Sequence, residues 1–139
     1  MTADIGVTED IALCHALRRA VFIEEQRIAE AEEWDDLDGE AVHLLASLDG
    51  VPVGTARLLS LGKTMRIGRI CVLHAHRGKG IGRQLVEHAL DVARDRGMSD
   101  AALGAQVHAL DFYRTLGFVA EGEVYDDAGI PHREMTRPL

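Results

Sequence analysis

The chain has 139 residues, 47% hydrophobic and 27% charged, which is ordinary for a globular protein, and we expect a single domain over residues 1–139. A net charge of −8 argues against nucleic acid as the main partner, and no apolar run is long enough to span a membrane. The N-terminus lacks a signal-peptide pattern, and the two cysteines suggest neither a disulfide framework nor a metal site. Both observations favour a cytoplasmic protein with reduced thiols.

The N-terminal third combines a helical pattern with an acidic segment. Residues 2–8 are predicted to form a strand and residues 10–27 a helix, because Asp10 can cap it and apolar residues recur at intervals of three and four. Residues 30–40 then carry seven acids and the only tryptophan. This segment is a loop or a short helix, and its acids are either solvated or form a wall of an acceptor site.

The middle of the chain predicts an antiparallel meander. Residues 41–48 and 51–59 are strand-like and flank Asp49-Gly50, a pair typical of a two-residue hairpin turn. Residues 65–73 follow as a third strand, and their end leads directly into a glycine-rich loop.

That loop contains Gly78, Gly80 and Gly82, and from Ile81 apolar residues recur at helical spacing as far as Gly97. A glycine-rich turn before a helix exposes backbone N–H groups that bind anions such as a pyrophosphate. The spacing matches neither a P-loop nor a dinucleotide-binding fingerprint. A glycine-rich cap on an ordinary helix is the simpler alternative.

Basic residues concentrate around the glycine loop. Residues 50–86 carry seven basic side chains and no acid, whereas the rest of the chain has a net charge of −15. This division reflects either chance and solubility or a polyanion site beside an acidic mouth for a cation.

The residue pattern of the C-terminal third predicts a strand that forms one side of a slot in the sheet, followed by a short helix and a hairpin. Residues 99–106 form a strand that follows a helix and should therefore lie parallel to the strand at 65–73. Two parallel strands joined by a helix can diverge at their ends and leave a slot between them. Residues 109–116 should form a short helix, and strands beginning at Phe118 and spanning 130–137 should close a final hairpin.

Two motifs resemble those of the GNAT N-acetyltransferases. The run Arg77-Gly78-Lys79-Gly80-Ile81-Gly82 is similar to Arg/Gln-x-x-Gly-x-Gly/Ala, which holds the pyrophosphate of acetyl-CoA in that family. The pattern Asn-x-x-Ala-x-x-Phe/Tyr-Tyr-x-x-x-Gly-Phe is matched at Ala109, Phe112, Tyr113, Gly117 and Phe118, with Gln106 in place of Asn. Four further stretches resemble the ElaA-like branch: Val21-Phe22-x-x-Glu25-Gln26, Asp36-x-Asp38, Ala41-x-His43 and Gly129-Ile130-Pro131-His132.

The resemblance implies an α/β fold with a mixed, mostly antiparallel central sheet of about six or seven strands, flanked by helices. A splayed parallel strand pair would form the acyl-CoA slot. It also implies acetyl-CoA as co-substrate and no metal. The residues it assigns to the cofactor are Cys71, Val72, Leu73, Arg77, Gly78, Lys79, Gly80, Ile81, Gly82, Arg83, Gln106, Ala109, Phe112 and Tyr113.

The implied reaction is direct transfer of an acetyl group to an amine, with Tyr113 protonating the departing thiolate. Cys71 is interpreted as a buried strand residue rather than a nucleophile, because no catalytic partner can be placed beside it. The general base stays open, and water relay is an alternative to a side chain. Glu25 and His132 are the candidates carried forward, and Asp36, His43 and Glu134 are further ones.

Other functions fit parts of the same pattern. A non-catalytic acyl-CoA-binding or sensor domain would keep the cofactor motif, whereas an unrelated phosphoanion-binding protein would not need the second motif. The acceptor would be a small-molecule or peptide amine, such as a polyamine, an amino sugar, a peptide N-terminus or a lysine. The chain could act as a monomer or a homodimer, since an edge strand of the last hairpin can pair with another copy.

Overall fold

The computed structural model describes residues 2–139 and contains one seven-stranded sheet in the order β1-β2-β3-β4-β5-β7-β6. The strands are β1 Asp4–Thr8, β2 Val42–Leu48, β3 Val51–Leu61, β4 Thr64–Val72, β5 Asp100–Gln106, β6 Val119–Asp127 and β7 Ile130–Pro138. Every neighbouring pair is antiparallel except β4 and β5, which are parallel. The predicted mixed, mostly antiparallel sheet with one parallel pair is therefore confirmed.

Helices cover both faces of this sheet. They are α1 Ile11–Arg18, a π-helical segment Arg19–Glu25, α2 Glu30–Glu33, α3 Ile81–Asp95 and α4 Leu110–Arg114. Three short 3₁₀ turns lie at Asp38–Glu40, His74–His76 and Val107–Ala109. Of the described residues, no helix is both long and apolar enough to cross a membrane.

The first helix begins as predicted but changes type in its second half. Asp10 caps it by accepting a hydrogen bond from the Leu13 amide at 3.1 Å. From Arg19 the helix widens, so that the amide of Gln26 bonds to the carbonyl of Val21, five residues earlier, at 2.9 Å. A single helix over 10–27 was too simple a prediction, because hydrophobic spacing does not distinguish the wider turn.

Two tight hairpin turns have the backbone conformation expected from their residue types. Asp49 and Gly50 have φ of 50° and 80°, and Ala128 and Gly129 have φ of 55° and 80°. Two consecutive positive φ angles match the right-handed twist of the strands in a tight hairpin. Both predicted hairpins are therefore present, between β2 and β3 and between β6 and β7.

Helix α3 supplies the largest apolar stripe of the core. Its buried residues are Ile81, Leu85, Val86, Ala89, Leu90 and Ala93. They pack on one face of the sheet with Leu44, Met65 and Leu103. Each fully buried aliphatic side chain contributes about 1.5–3 kcal/mol, so this stripe fixes α3, and with it the glycine loop at its start, against the sheet.

The parallel strands β4 and β5 pair over only three residues and then diverge. Their register joins Thr64 to Asp100 and ends at Arg66 with Ala102. Beyond that point β4 contains an irregularity, where Arg69 adopts a φ of 49° and one extra residue faces β3. A bulge of this kind bends the strand, which leaves the predicted slot between β4 and β5.

Candidate functional site

A cleft of about 720 Å³ lies between the diverging ends of β4 and β5 and continues to the start of α3. It brings together twelve of the fourteen residues that the resemblance assigned to the cofactor: Cys71, Val72, Arg77, Gly78, Gly80, Ile81, Gly82, Arg83, Gln106, Ala109, Phe112 and Tyr113. Leu73 and Lys79 do not line it. The Leu73 amide donates to the Val53 carbonyl at 2.8 Å, and the Lys79 ammonium lies 3.3 Å from Nδ1 of His76.

The glycine loop presents bare backbone to this cleft. Gly78 and Gly80 have φ of 78° and 79°, a conformation that L side chains rarely adopt. Gly80 caps α3 without a side-chain hydrogen bond, so the first-turn N–H groups keep their partial positive charge for an anion. A Cβ added at Gly82 would meet only ordinary contacts, 3.8 Å from Phe112 and 4.0 Å from Val72. Gly82 therefore has room for a methyl group, and a Cβ on Gly78 or Gly80 would have no neighbour within 4 Å.

Arg77 is held by three hydrogen bonds beside the loop. Its Nε donates to the Val72 carbonyl at 3.0 Å, and its two terminal nitrogens donate to Glu25 at 2.5 and 2.7 Å. These hydrogen bonds lower the pKa of the Glu25 carboxylate, which does not line the cleft. A carboxylate with a lowered pKa that lies outside the cleft is poorly suited to be the base.

Gln106 also has protein partners. Its Nε2 donates to Oε1 of Gln26 at 3.1 Å, and its Oε1 accepts from His108 at 2.7 Å. Gln26 follows the π-helical segment on the β4 side, whereas Gln106 ends β5. The two amides therefore meet across the opening between the strands, a pairing that spacing along the sequence gave no means of finding.

Tyr113 lies in the cleft wall, packed edge-on against Phe112 and Phe118 at ring distances of 5.0 and 6.0 Å. Burial raises its pKa to about 12, so the phenol keeps its proton at neutral pH. Burial also raises the pKa of Cys71 to about 12. A thiol held protonated among Leu17, Val21 and Phe22 is a weak nucleophile, in agreement with its interpretation as a packing residue.

His132 lines the cleft with one ring nitrogen free of protein partners among the described residues. Nδ1 lies 2.7 Å from the Ile130 carbonyl. Because a carbonyl only accepts, Nδ1 carries the hydrogen and Nε2 carries a lone pair. The ring stacks on Tyr125 at 5.8 Å.

The remaining base candidates are occupied or lie elsewhere. Glu134 accepts both Arg66 hydrogen bonds, at 2.6 and 3.0 Å. His43 is 3% exposed and bonded through Nε2 to the Asp38 carbonyl at 2.9 Å, and Asp36 is exposed. Neither His43 nor Asp36 lines the cleft.

Four of the seven acids in the acidic segment, Glu30, Glu33, Asp35 and Asp38, pair with arginines of the protein. Glu33 and Asp38 are only 3% and 8% exposed, so the prediction that the acids of this segment are solvated is wrong for these two residues. Arg18 donates to Glu33 at 2.8 Å and to Asp38 at 2.9 Å. Arg57 contacts Asp35 and Asp38, and Arg69 contacts Glu33 and Asp35. Three arginines thus balance three carboxylates, and we call these six residues the ion cluster.

The ion cluster also corrects the interpretation of the charge pattern. Arg57 and Arg69 belong to it, Arg66 pairs with Glu134 and Arg77 pairs with Glu25, so four of the seven basic residues between 50 and 86 are already paired with carboxylates of the protein. Glu33 does line the cleft, but two arginines neutralise it. Within residues 2–139 no group of three or more His, Cys, Asp or Glu side chains is arranged to hold a metal ion.

Tyr125 and Gln26 are among the cleft residues that were not predicted as site residues. The Tyr125 ring reaches from β6 across to β5, where a Cβ on Gly104 would collide with its hydroxyl. No motif marks Tyr125, because its position depends on strand pairing. Gln26 lies in one of the ElaA-like stretches, but that resemblance assigns it no role.

Comparison with known proteins identifies the family. The model of the acetyltransferase (GNAT) family matches residues 11–118. The protein ElaA of Escherichia coli is 35% identical over 142 aligned positions, which cover 99% of this chain and 92% of ElaA. Its crystal structure superposes with a TM-score of 0.83 at 29% identity, covering 98% of this chain and 99% of that one.

Two other solved structures share the fold. An acyl-CoA N-acyltransferase from Pseudomonas aeruginosa is 34% identical with a TM-score of 0.87, covering 98% of this chain and 99% of that one. A PaiA N-acetyltransferase from Thermoplasma acidophilum, solved in complex with coenzyme A, has a TM-score of 0.77 at 16% identity and covers 100% of both chains. At 16% identity, the likeness to the PaiA structure concerns the fold alone.

Proposed function

The chain belongs to the acetyltransferase (GNAT) family, and from that premise we propose that it transfers an acetyl group from acetyl-CoA directly to an amine of an acceptor. The observation that carries the proposal is the continuity of the cleft. It runs from the unpaired edge of β4 to the bare N–H groups at the start of α3. An extended pantetheine arm and a pyrophosphate need those two surfaces in that order.

The residues present fit acetyl-CoA. Gly78 and Gly80 leave open space where the phosphates would approach the backbone, Arg83 lines the cleft, and Lys79 is exposed between the two glycines. Beyond Arg66 the β4 edge facing β5 has no strand partner, so it is free to pair with an extended arm. The PaiA structure, which has the same fold, was solved in complex with coenzyme A, and this supports the assignment.

Tyr113 is proposed as the general acid. In the reaction an amine nitrogen bonds to the thioester carbon, the carbon–sulfur bond breaks, and the departing thiolate takes a proton from the phenol. A pKa of about 12 keeps that proton in place until the thiolate forms. A CoA thiol has an ordinary pKa of about 8.5, so the contribution of Tyr113 should lie near the lower end of the ~10²–10⁴ typical of general acids.

His132 is proposed as the group that removes the proton from the amine. An alkyl ammonium with a pKa of about 10.4 costs about 4–5 kcal/mol to deprotonate at pH 7, so a base in the cleft matters. The Nε2 lone pair of His132 meets this need, directly or through a water molecule. Glu25 is the less suitable candidate because its carboxylate is committed to Arg77.

A thiol-release assay with acetyl-CoA and a panel of amines tests the proposal. We expect turnover with at least one amine class, and a loss of about 100-fold in kcat for Tyr113→Phe without a change in CoA affinity. Tyr125→Phe removes the other phenol of the cleft and should keep most of the activity. A protein that binds CoA but acetylates none of the panel would be the non-catalytic binding domain instead.

A further inference from the structure

Two consecutive side chains at the end of the π-helical segment contact opposite sides of the cleft. Glu25 accepts two hydrogen bonds from Arg77, at 2.5 and 2.7 Å, and Gln26 accepts one from Gln106, at 3.1 Å. Arg77 lies in the loop that follows β4, whereas Gln106 is the last residue of β5. Glu25 and Gln26 therefore connect the two strands at the point where these no longer pair with each other.

Each nitrogen of the Arg77 guanidinium has a protein partner. Nε is bound to the Val72 carbonyl at 3.0 Å, and the two terminal nitrogens are bound to Glu25. Val72 ends β4, and Glu25 ends the π-helical segment. Because a bidentate arginine–carboxylate pair is charge-assisted and fixed in direction, it defines where the glycine loop leaves the strand.

Three roles for Glu25 make different predictions. A general base would affect turnover and leave CoA affinity unchanged. A carboxylate that competes with the phosphates for Arg77 would weaken CoA binding, so its removal would tighten it. A carboxylate that aims Arg77 and the loop would strengthen CoA binding, so its removal would weaken it.

We infer that Glu25, together with Gln26, is a positioning residue for acetyl-CoA and not the general base. Glu25 holds Arg77 against the end of β4 and so sets the glycine loop beneath the pyrophosphate. Gln26 holds Gln106 and so sets the width of the opening. The inference rests on the proposed function, and the geometry favours it because Arg77 is already bound to backbone and Glu25 itself is outside the cleft.

The test is calorimetric titration of CoA into the wild type and Glu25→Ala. We expect the variant to bind about tenfold more weakly, which corresponds to about 1.4 kcal/mol. Glu25→Gln keeps one acceptor oxygen for Arg77 and should recover part of the loss. Glu24→Ala is the matched control, because Glu24 is the preceding residue, is exposed and makes no ion pair within the described chain.

A double-mutant cycle separates positioning from a general loss of structure. In an Arg77→Ala background, Glu25→Ala should weaken CoA binding no further, because its effect passes through Arg77. Tighter binding by Glu25→Ala, or an affinity equal to that of Glu24→Ala, overturns the inference alone. Absence of CoA binding by the wild type overturns the proposed function and the inference with it.

Discussion

Two charged regions of this molecule have opposite environments. Around the glycine loop, Lys79 and Arg83 lie at the surface beside unpaired backbone N–H groups. In the ion cluster, Arg18 and Glu33 are 1% and 3% exposed and are bonded to each other. Charge is available for a ligand where the fold leaves it exposed, as it does for Lys79 and for Arg83, whose contact with Glu87 lies at the surface. Local sequence composition does not reveal which charges will be buried in pairs.

The two regions should also contribute to different properties, the ion cluster to stability and the glycine loop to ligand binding. A buried pair costs desolvation that only its partners offset, so removing one member leaves an uncompensated charge. An exposed arginine or lysine at a ligand site contributes little to folding. Substitutions in the ion cluster should therefore destabilise the protein, whereas substitutions at the glycine loop should change its affinity for CoA.

The largest effect is expected for Arg18→Ala. It leaves Glu33 and Asp38 without their main partner and should reduce the free energy of unfolding by about 3–5 kcal/mol. Arg19→Ala is the matched control: Arg19 is at the surface and pairs with Glu30, so its loss should cost about 1 kcal/mol or less. Urea denaturation of both variants measures the difference, and equal midpoints would contradict a buried cluster.

Acid should weaken the ion cluster. Burial alone would raise the pKa of Asp38, but hydrogen bonds from Arg18, His15 and Arg57 together lower it well below its usual range. A carboxyl with a lowered folded-state pKa stabilises the protein above its unfolded pKa of about 3.9, and that stability is lost as the pH falls further.

Urea titrations between about pH 7 and pH 2 measure this loss. We expect the free energy of unfolding to decline below about pH 5, and the decline to be smaller in Asp38→Asn. An identical acid dependence in that variant would show that Asp38 does not contribute.

Gly82→Ala should raise stability and leave CoA affinity nearly unchanged. Gly82 is helical and has room for a methyl group, so alanine should stabilise α3 by up to about 1 kcal/mol. The motif that Gly82 matches has Gly or Ala at this position, so the methyl group should be compatible with a bound pyrophosphate. Thermal unfolding and titration with CoA measure the two effects, and a loss of CoA affinity of about tenfold or more, which is about 1.4 kcal/mol, would contradict the match to the motif.

The smallest effect is expected from salt. Raising NaCl from about 0.05 to 0.5 M should weaken CoA binding several-fold, because Lys79 and Arg83 lie at the surface and are therefore screened. The free energy of unfolding should change much less, since four of the six residues of the ion cluster, Arg18, Glu33, Asp38 and Arg57, are buried. CoA affinity that does not respond to salt would mean that these two side chains do not contact the phosphates.

Much of the fold follows from local residue patterns. The Asp49-Gly50 hairpin and the apolar stripe of α3 were predicted because each depends on neighbours in the chain. The parallel pairing of β4 with β5 was predicted because a helix connects the two strands. The π-helical segment and the bulge at Arg69 were not predicted. A positive φ is expected of glycine, whereas Arg69 adopts one at the bulge, where its guanidinium bonds to Glu33, a residue 36 positions away in the sequence.

The candidate site also has a part that could be predicted from the sequence and a part that could not. The glycine loop, Tyr113 and Gln106 were found because they stand in contiguous motifs, and the structure brings them into one cleft. The partners that modify them were not found, because Glu25 is 52 residues from Arg77 and Gln26 is 80 residues from Gln106. Pairings over such separations are set by the packed sheet.

Titration of acetyl-CoA into the wild type and Gly82→Glu tests the central claim most directly. The glutamate would place a carboxylate where the pyrophosphate should lie, at a position where its Cβ meets only ordinary contacts. His88→Glu adds the same charge to α3, about 9 Å further along its axis, and serves as the control. We expect micromolar binding by the wild type and His88→Glu, and none by a folded Gly82→Glu. No binding by the folded wild type, or equal binding by all three, would contradict the assignment of the glycine loop to acetyl-CoA.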